Sequence, residues 1–284
     1  MSPTLSIVII TRDEPGLPAV LDALAGQTDD RCEVIVVDAS AEPAARTDAH
    51  VIPFQGPPGV RVTIPHQRNA GVRAAKGEVV VFLDASCVPG PHWLERLTEP
   101  ILAGRENVTV GLTVSPPGRE GLYDEGLRNA GPYLEEAPTL NLAFRRELFT
   151  ALGGFDEGFA YGSDVDFTWR LRDRGERLRS VPGAVAVHDW GDARRQARRS
   201  FAYGAARARL YRKHRARRAG LWRREPMVVA YPLFLLGLPL TFVFPLYPLL
   251  LLVPAWRHRH AGVRRTLADH LLYGAGVLSE LTRR

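Results

Sequence analysis

The chain has 284 residues, of which 45% are hydrophobic, 8% aromatic and 24% charged; such a balance builds a large core and excludes a disordered or fibrous protein. Two cysteines, Cys32 and Cys87, exclude both a disulfide framework and a cysteine-based zinc site. The net charge is +6, yet thirteen Arg or Lys and no acid fall within residues 193–224, so the remainder is net acidic and the basicity is local. No basic n-region or small-residue cleavage site precedes Arg12, so a secretory signal is not expected and the catalytic part is placed in the cytoplasm.

Taken in chain order, residues 5–10, 33–37 and 78–83 are short β-rich runs, apolar on both faces, which predict buried parallel strands. Between the first two, Leu17, Val20, Leu21 and Leu24 recur at a helical spacing that Pro15 and Pro18 can initiate, predicting a helix over 17–26. A second helix over 67–76 ends at Gly77, and a third is predicted over 89–97. The alternation is that of an open α/β sheet, in which ligands bind beyond the carboxyl ends of the strands. Residues 100–138, rich in Gly and Pro, predict a loop region shaping a second pocket, and residues 141–148 and 164–175 predict helices.

The strand-end rule singles out Thr11, Asp13, Asp38 and Asp84. Asp84 is placed to hold a divalent ion against a diphosphate, because hard cations take oxygen ligands and share themselves with substrate phosphates; alternatively it caps the helix that follows. Asp38 either accepts hydrogen bonds from a base or ribose or forms a turn within Asp38-Ala39-Ser40. Arg68, opening the second helix, can pair a phosphate. The glycine-rich acidic stretch from Gly153 to Phe167 carries Asp164 at a helix start, a position suited to a general base, or else Ser163 or Asp164 is an N-cap and Asp166 a first-turn acid. His188 is a metal ligand or a structural histidine.

Residues 226–256 contain no charged side chain. A bilayer helix needs ~20 such residues, but Pro232, Pro239, Pro245, Pro248 and Pro254 break the run and predict two short helices or a kinked one. Arms of ~15 residues rise only ~22 Å, short of the ~30 Å hydrocarbon core. A re-entrant or interfacial hairpin is therefore expected, with a transmembrane span or a buried core hairpin as alternatives. Arginines on both sides of it favour cytoplasmic ends. The basic run carries few aromatics and abuts apolar sequence, so nucleic acid is not the expected partner.

On the motifs SIVIITRDEP, EVIVVDAS, HQRNAGVRAAKGEVVVFLDAS, LNLAFRRELFTALGGFDE and GSDVDFTWRLRDRG, covering roughly residues 4–190, the chain resembles the family 2 glycosyltransferases of GT-A fold. Its continuation RRSFAYGAARARLYRKH looks like that of membrane-associated bacterial exopolysaccharide glycosyltransferases of the succinoglycan glucosyltransferase type. The resemblance implies an α/β, Rossmann-like GT-A domain with a mixed central sheet over 1–190. Beyond it, charge and hydropathy predict an Arg-rich juxtamembrane helix over 191–225, the hydrophobic hairpin over 226–256 and a tail helix over 257–284.

By the same resemblance, Thr11, Asp13, Asp38, Arg68, Asp84 and Ser86 bind a nucleotide-sugar donor, and Asp164 is the base of an inverting transfer. Asp84 and Ser86, aided by His188, hold Mg2+ or Mn2+. The hydrophobic tail and the Arg-rich segment 193–224, which can meet anionic headgroups, point to a lipid-linked glycan acceptor delivered at the inner leaflet, on the cytoplasmic face of the bacterial inner membrane. Two positions depart from the family pattern. Ser86 stands for the second acid of the DxD motif and Ser163 for the Glu of the ED motif, with Asp166 the expected substitute for the latter. These departures keep open a non-catalytic, nucleotide-sugar-binding scaffold. A nucleotidyltransferase is disfavoured, since TRDEP follows the first strand where a Gly- and Arg-rich phosphate loop is needed.

Overall fold

Val, Ile and Leu on both faces make the first three apolar runs into the parallel centre of a sheet. The computed structural model describes residues 4–43, 48–56, 59, 62–116, 131–188, 193–257 and 262–283. The chain divides into two units, residues 1–189 and 190–284, and the expected 190/191 boundary falls outside the described residues.

In the first unit, β1 (Leu5–Thr11), α1 (Leu17–Ala25), β2 (Cys32–Asp38) and β3 (His50–Pro53) lead to α2 (Ile64–Ala74) and β4 (Val79–Asp84). Then come β5 (Cys87–Pro89), α3 (Trp93–Leu102), β6 (Val108–Val114), β7 (Tyr133–Leu134) and β8 (Asn141–Arg145). The unit closes with α4 (Arg146–Leu152), α5 (Ser163–Asp173) and β9 (Leu178–His188). Its strands form one mixed sheet in the order β3-β2-β1-β4-β8-β6-β9-β5, with β7 paired to β9. β1, β2, β3 and β4 run parallel, and β8 enters antiparallel between β4 and β6.

Two expectations are corrected. The stretch predicted as a helix over 141–148 is first a strand, Asn141–Arg145, and only then a helix. Its Leu142 and Phe144 side chains are fully buried between β4 and β6, and pairing on both sides overrides local helix propensity. Asn141 ties this junction by accepting from Trp93 Nε1 at 2.9 Å and donating to the carbonyls of Leu112 and Ala184. Gly111 leaves it room, since a Cβ there would sit 2.3 Å from Asn141 Oδ1. The supposed loop over 100–138 likewise contains β6 and β7, although residues 117–130 lie outside the described part.

The core reaches toward the site through aromatics. Phe82, Phe144, Phe149, Phe155 and Phe167 cluster, with Phe155 and Phe167 stacked at 4.3 Å between centroids. Offset aromatic pairs add ~0.5–1.5 kcal/mol beyond their buried area. Phe155 lies in the glycine-rich stretch before α5, so that stretch is pinned to the core.

The second unit contains α6 (Ala193–Lys213), α7 (Leu221–Arg224), α8 (Met227–Leu236), α9 (Leu252–Arg257) and α10 (Val263–Leu281). Backbones of α6 and α10 touch because two crossings lack a Cβ: one built on Gly204 would lie 2.0 Å from the Tyr273 carbonyl oxygen, and one on Gly276 2.0 Å from that of Phe201. Glu280 of α10, almost fully buried, pairs with Arg209 at 3.0 Å, with Arg212 and with Arg283. The uncharged stretch is broken into α8, two 3-10 turns (Leu238–Phe242 and Tyr247–Leu251) and α9. It folds back on itself: the Tyr247 ring stacks on Phe234 at 5.2 Å and its hydroxyl donates to the Phe234 carbonyl at 2.9 Å. Among the described residues no helix is long and apolar enough to cross a membrane.

Candidate active site

Strand register brings three of the singled-out residues to one edge of the sheet. Thr11 pairs with Asp38, and Ile10 with Asp84, so the ends of β1, β2 and β4 lie side by side. Asp38 is 2% exposed, and its Oδ1 accepts from the Ser40 N–H at 2.8 Å. The turn-forming role is therefore real. Ser40 Oγ in turn accepts from the Asp13 N–H at 2.7 Å, fixing exposed Asp13 in a left-handed conformation (φ 51°) that an Asp tolerates. The loop after β1 also closes on β4: a Cβ on Gly16 would come within 3.1 Å of the Ala85 carbonyl.

Helix α2 joins this edge to the glycine-rich stretch through three consecutive residues. Gln67 Nε2 donates to the carbonyls of Thr11 at 2.8 Å and Val37 at 3.1 Å, holding the strand tips. Arg68 is 6% exposed, lies over the Phe155 ring at 5.7 Å, and donates from Nη1 to Ser163 Oγ at 3.0 Å, while its buried Nε has no hydrogen-bond partner. Asn69 accepts from the Phe155 N–H at 2.8 Å and donates to the Phe155 carbonyl and to Glu157 Oε1. Glu157 is further approached by His66 Nε2 at 3.4 Å and Arg73 at 3.8 Å. Gln67 and the holding role of Glu157 escaped sequence reasoning. The available signal was three polar residues in succession where a buried helix face should be apolar.

Asp164 sits in the first turn of α5, half-buried, accepting from the Val165 N–H at 2.9 Å. Gly162 before it takes φ 80°, and no side chain caps the helix, so neither Ser163 nor Asp164 is an N-cap. Ser163 serves Arg68 instead. The expectation that Asp166 replaces the missing ED glutamate is corrected: Asp166 is fully buried and holds Arg170 Nε at 2.8 Å. Arg170 also donates to the carbonyls of Leu152 and Gly154. This pair is a brace between α5 and the end of α4.

At the other side of the strand edge, β5 pairs with β9 so that Cys87 faces His188. Ser86 Oγ and His188 Nε2 are 3.1 Å apart, with Asp84 two residues before Ser86. Asp84 does not cap α3, whose N-cap is His92. Burial, reinforced by the Asp84 charge, pushes the Cys87 thiol well up, so no thiolate is available here. Among the described residues no three His, Cys, Asp or Glu side chains converge on a metal position. The oxygen and imidazole set of Asp84, Ser86 and His188 fits a Mg2+ or Mn2+ ion completed by ligands from outside the chain, the usual habit of Mg2+ beside phosphates.

The first unit is thus a mixed sheet with acids at its parallel strand ends and a carboxylate at a glycine-flanked helix start. Residues 6–164, more than half of the chain, match the family described as glycosyl transferase family 2, and residues 132–257 match glycosyl transferase family group 2. The chain belongs to glycosyl transferase family 2.

The pre-mycofactocin glycosyltransferase of Mycobacterium tuberculosis is 35% identical over 164 residues, covering 52% of this chain and 34% of that protein. The succinoglycan biosynthesis protein ExoA of Rhizobium meliloti is 25% identical over 226 residues, 69% of this chain and 66% of that protein. The chain thus spans between a third and two thirds of these relatives' lengths. In fold it resembles the mannosyltransferase PcManGT from Pyrobaculum calidifontis, solved with GDP-Man and Mn2+, at a TM-score of 0.65 and 20% identity over 100% of this chain and 88% of that one. The GT-A fold follows from this likeness.

Proposed function

We propose that the protein is an inverting glycosyltransferase that moves a sugar from a nucleoside-diphosphate sugar to an acceptor hydroxyl. Asp164 takes the proton of that hydroxyl as it attacks the anomeric carbon, and the nucleoside diphosphate leaves from the opposite face. Asp38 and Thr11, with Asp13 beside them, receive the nucleoside, and Arg68 lies close to the donor. Asp84, Ser86 and His188 would hold Mg2+ or Mn2+, which offsets the charge of the departing diphosphate.

The observation that carries the reading is the consecutive set Gln67, Arg68 and Asn69. These residues bond the donor-side strand tips and the base-side stretch from one helix turn, which supports a single crevice holding both substrates. That PcManGT was solved with GDP-Man and Mn2+ supports the donor and metal classes. The arginine-rich helix and the uncharged hairpin favour an acceptor borne on a lipid at the inner face of the bacterial membrane, where basic residues meet anionic headgroups.

The test is a hydrolysis screen of UDP-, GDP- and TDP-sugars, since slow donor hydrolysis needs no acceptor. One donor should be hydrolysed, the rate should vanish with EDTA, and it should return with Mn2+ or Mg2+. Binding of a nucleoside diphosphate without turnover of any donor would establish a non-catalytic scaffold instead.

A further inference from the structure

The second unit carries a surface that the transfer chemistry does not use. From Leu236 to Val253 most of the large apolar side chains are exposed, with Phe242 at 93% and Val243 at 87% where the first 3-10 segment ends. A patch of this kind on a folded chain marks an interaction site.

We infer that this hairpin is a wedge that seats the protein in one leaflet of an anionic bilayer without crossing it. Helix α8 has ten residues and rises ~15 Å, half of the ~30 Å hydrocarbon core. The backbone of the wedge suits a lipid environment. Six prolines within 226–256 remove N–H donors, and many of the remaining donors bond within the hairpin: Leu240 to Gly237, Val243 and Phe244 to Leu240, Tyr247 to Phe244, Leu249 to Leu246. Tyr247 satisfies a carbonyl that the end of α8 leaves open.

The rim matches an interface. Trp222 and Trp256 bracket the uncharged run and are 59% and 72% exposed, the position in which an indole sits at headgroup level. Exposed Arg215, Arg218, Arg223 and Arg224 lie just before the run, in a stretch with no acid. Two copies meeting through this face would bring like charges together, whereas anionic headgroups complement them. The inference deepens the lipid-borne acceptor reading on which it rests, by naming what holds the enzyme where such an acceptor is found.

The experiment is flotation of the full chain with vesicles of phosphatidylcholine, with and without phosphatidylglycerol, beside the variant carrying Phe242→Asp and Val243→Asp. Both positions are at the solvent-facing tip, so folding is retained; circular dichroism and donor hydrolysis on soluble nucleotide sugars check this. The wild type should float with anionic vesicles, with tryptophan emission quenched by bromines high on the acyl chains more than by bromines near the bilayer centre. The variant should lose at least ~10-fold in partitioning and keep its hydrolysis rate. Equal flotation of both proteins overturns the inference, as does deepest quenching at the bilayer centre, or a dimer that the variant dissolves with no vesicle binding by either protein. Flotation as expected with no donor hydrolysed would instead defeat the transferase reading and leave the wedge standing.

Discussion

At the residue scale the site depends on a few buried polar contacts. Asp164→Asn keeps the shape of the first turn of α5 and removes the carboxylate proposed to accept the proton. We expect turnover to fall at least ~100-fold, the usual size of a general-base effect, with nucleoside diphosphate affinity measured by calorimetry nearly unchanged. Asn69→Ala is a different lesion. It leaves the Phe155 N–H and carbonyl, both bonded to Asn69, without their partner, at ~1–3 kcal/mol for each buried group. Urea denaturation should report a loss of roughly 2–4 kcal/mol, and proteolysis should cut first near Gly153 and Gly154.

At the scale of elements, glycines decide where backbones can approach. Gly154 takes φ 82°, and a Cβ on it would lie 2.9 Å from Asn69 Oδ1, so Gly154→Ala combines backbone strain of ~1–2 kcal/mol with displacement of the Asn69 side chain. The melting temperature should fall, and donor hydrolysis should fall with it because the stretch before α5 shifts.

The same scale shows what was legible in the sequence. β1, β2 and β4 were readable because Val, Ile and Leu on both faces leave no other use for so short a run, and their acidic ends followed from the strand-end rule. β8 was not, because Asn141 to Arg145 has no strand alternation of its own; its conformation comes from neighbours on both sides. The part played by Ser163 was hidden for a related reason: its partner, Arg68, lies 95 residues away. Asp166 was misjudged because spacing alone cannot tell a carboxylate facing a crevice from one facing Arg170.

At the scale of the whole molecule, each unit has its own means of holding together. In the second, burial alone would push the Glu280 carboxyl up, but Arg209, Arg212 and Arg283 outweigh it and hold it below the usual glutamate value. A carboxylate with a lowered folded-state value stabilises the fold above the unfolded value and loses that contribution as pH falls through the lowered one. The urea midpoint of the second unit should therefore stay level down to roughly pH 4.3, the ordinary value for Glu, and drop beneath it. Glu280→Gln should lower the plateau and flatten the acid limb.

A turn that presents Phe242 and Val243 almost wholly to water makes the free protein a surfactant. It will gather at air bubbles, plastic walls and filter membranes, so dilute samples will lose titre with time and with vessel area. Rates measured without a mild amphiphile will then report how much enzyme has left the solution as much as how fast the remainder works.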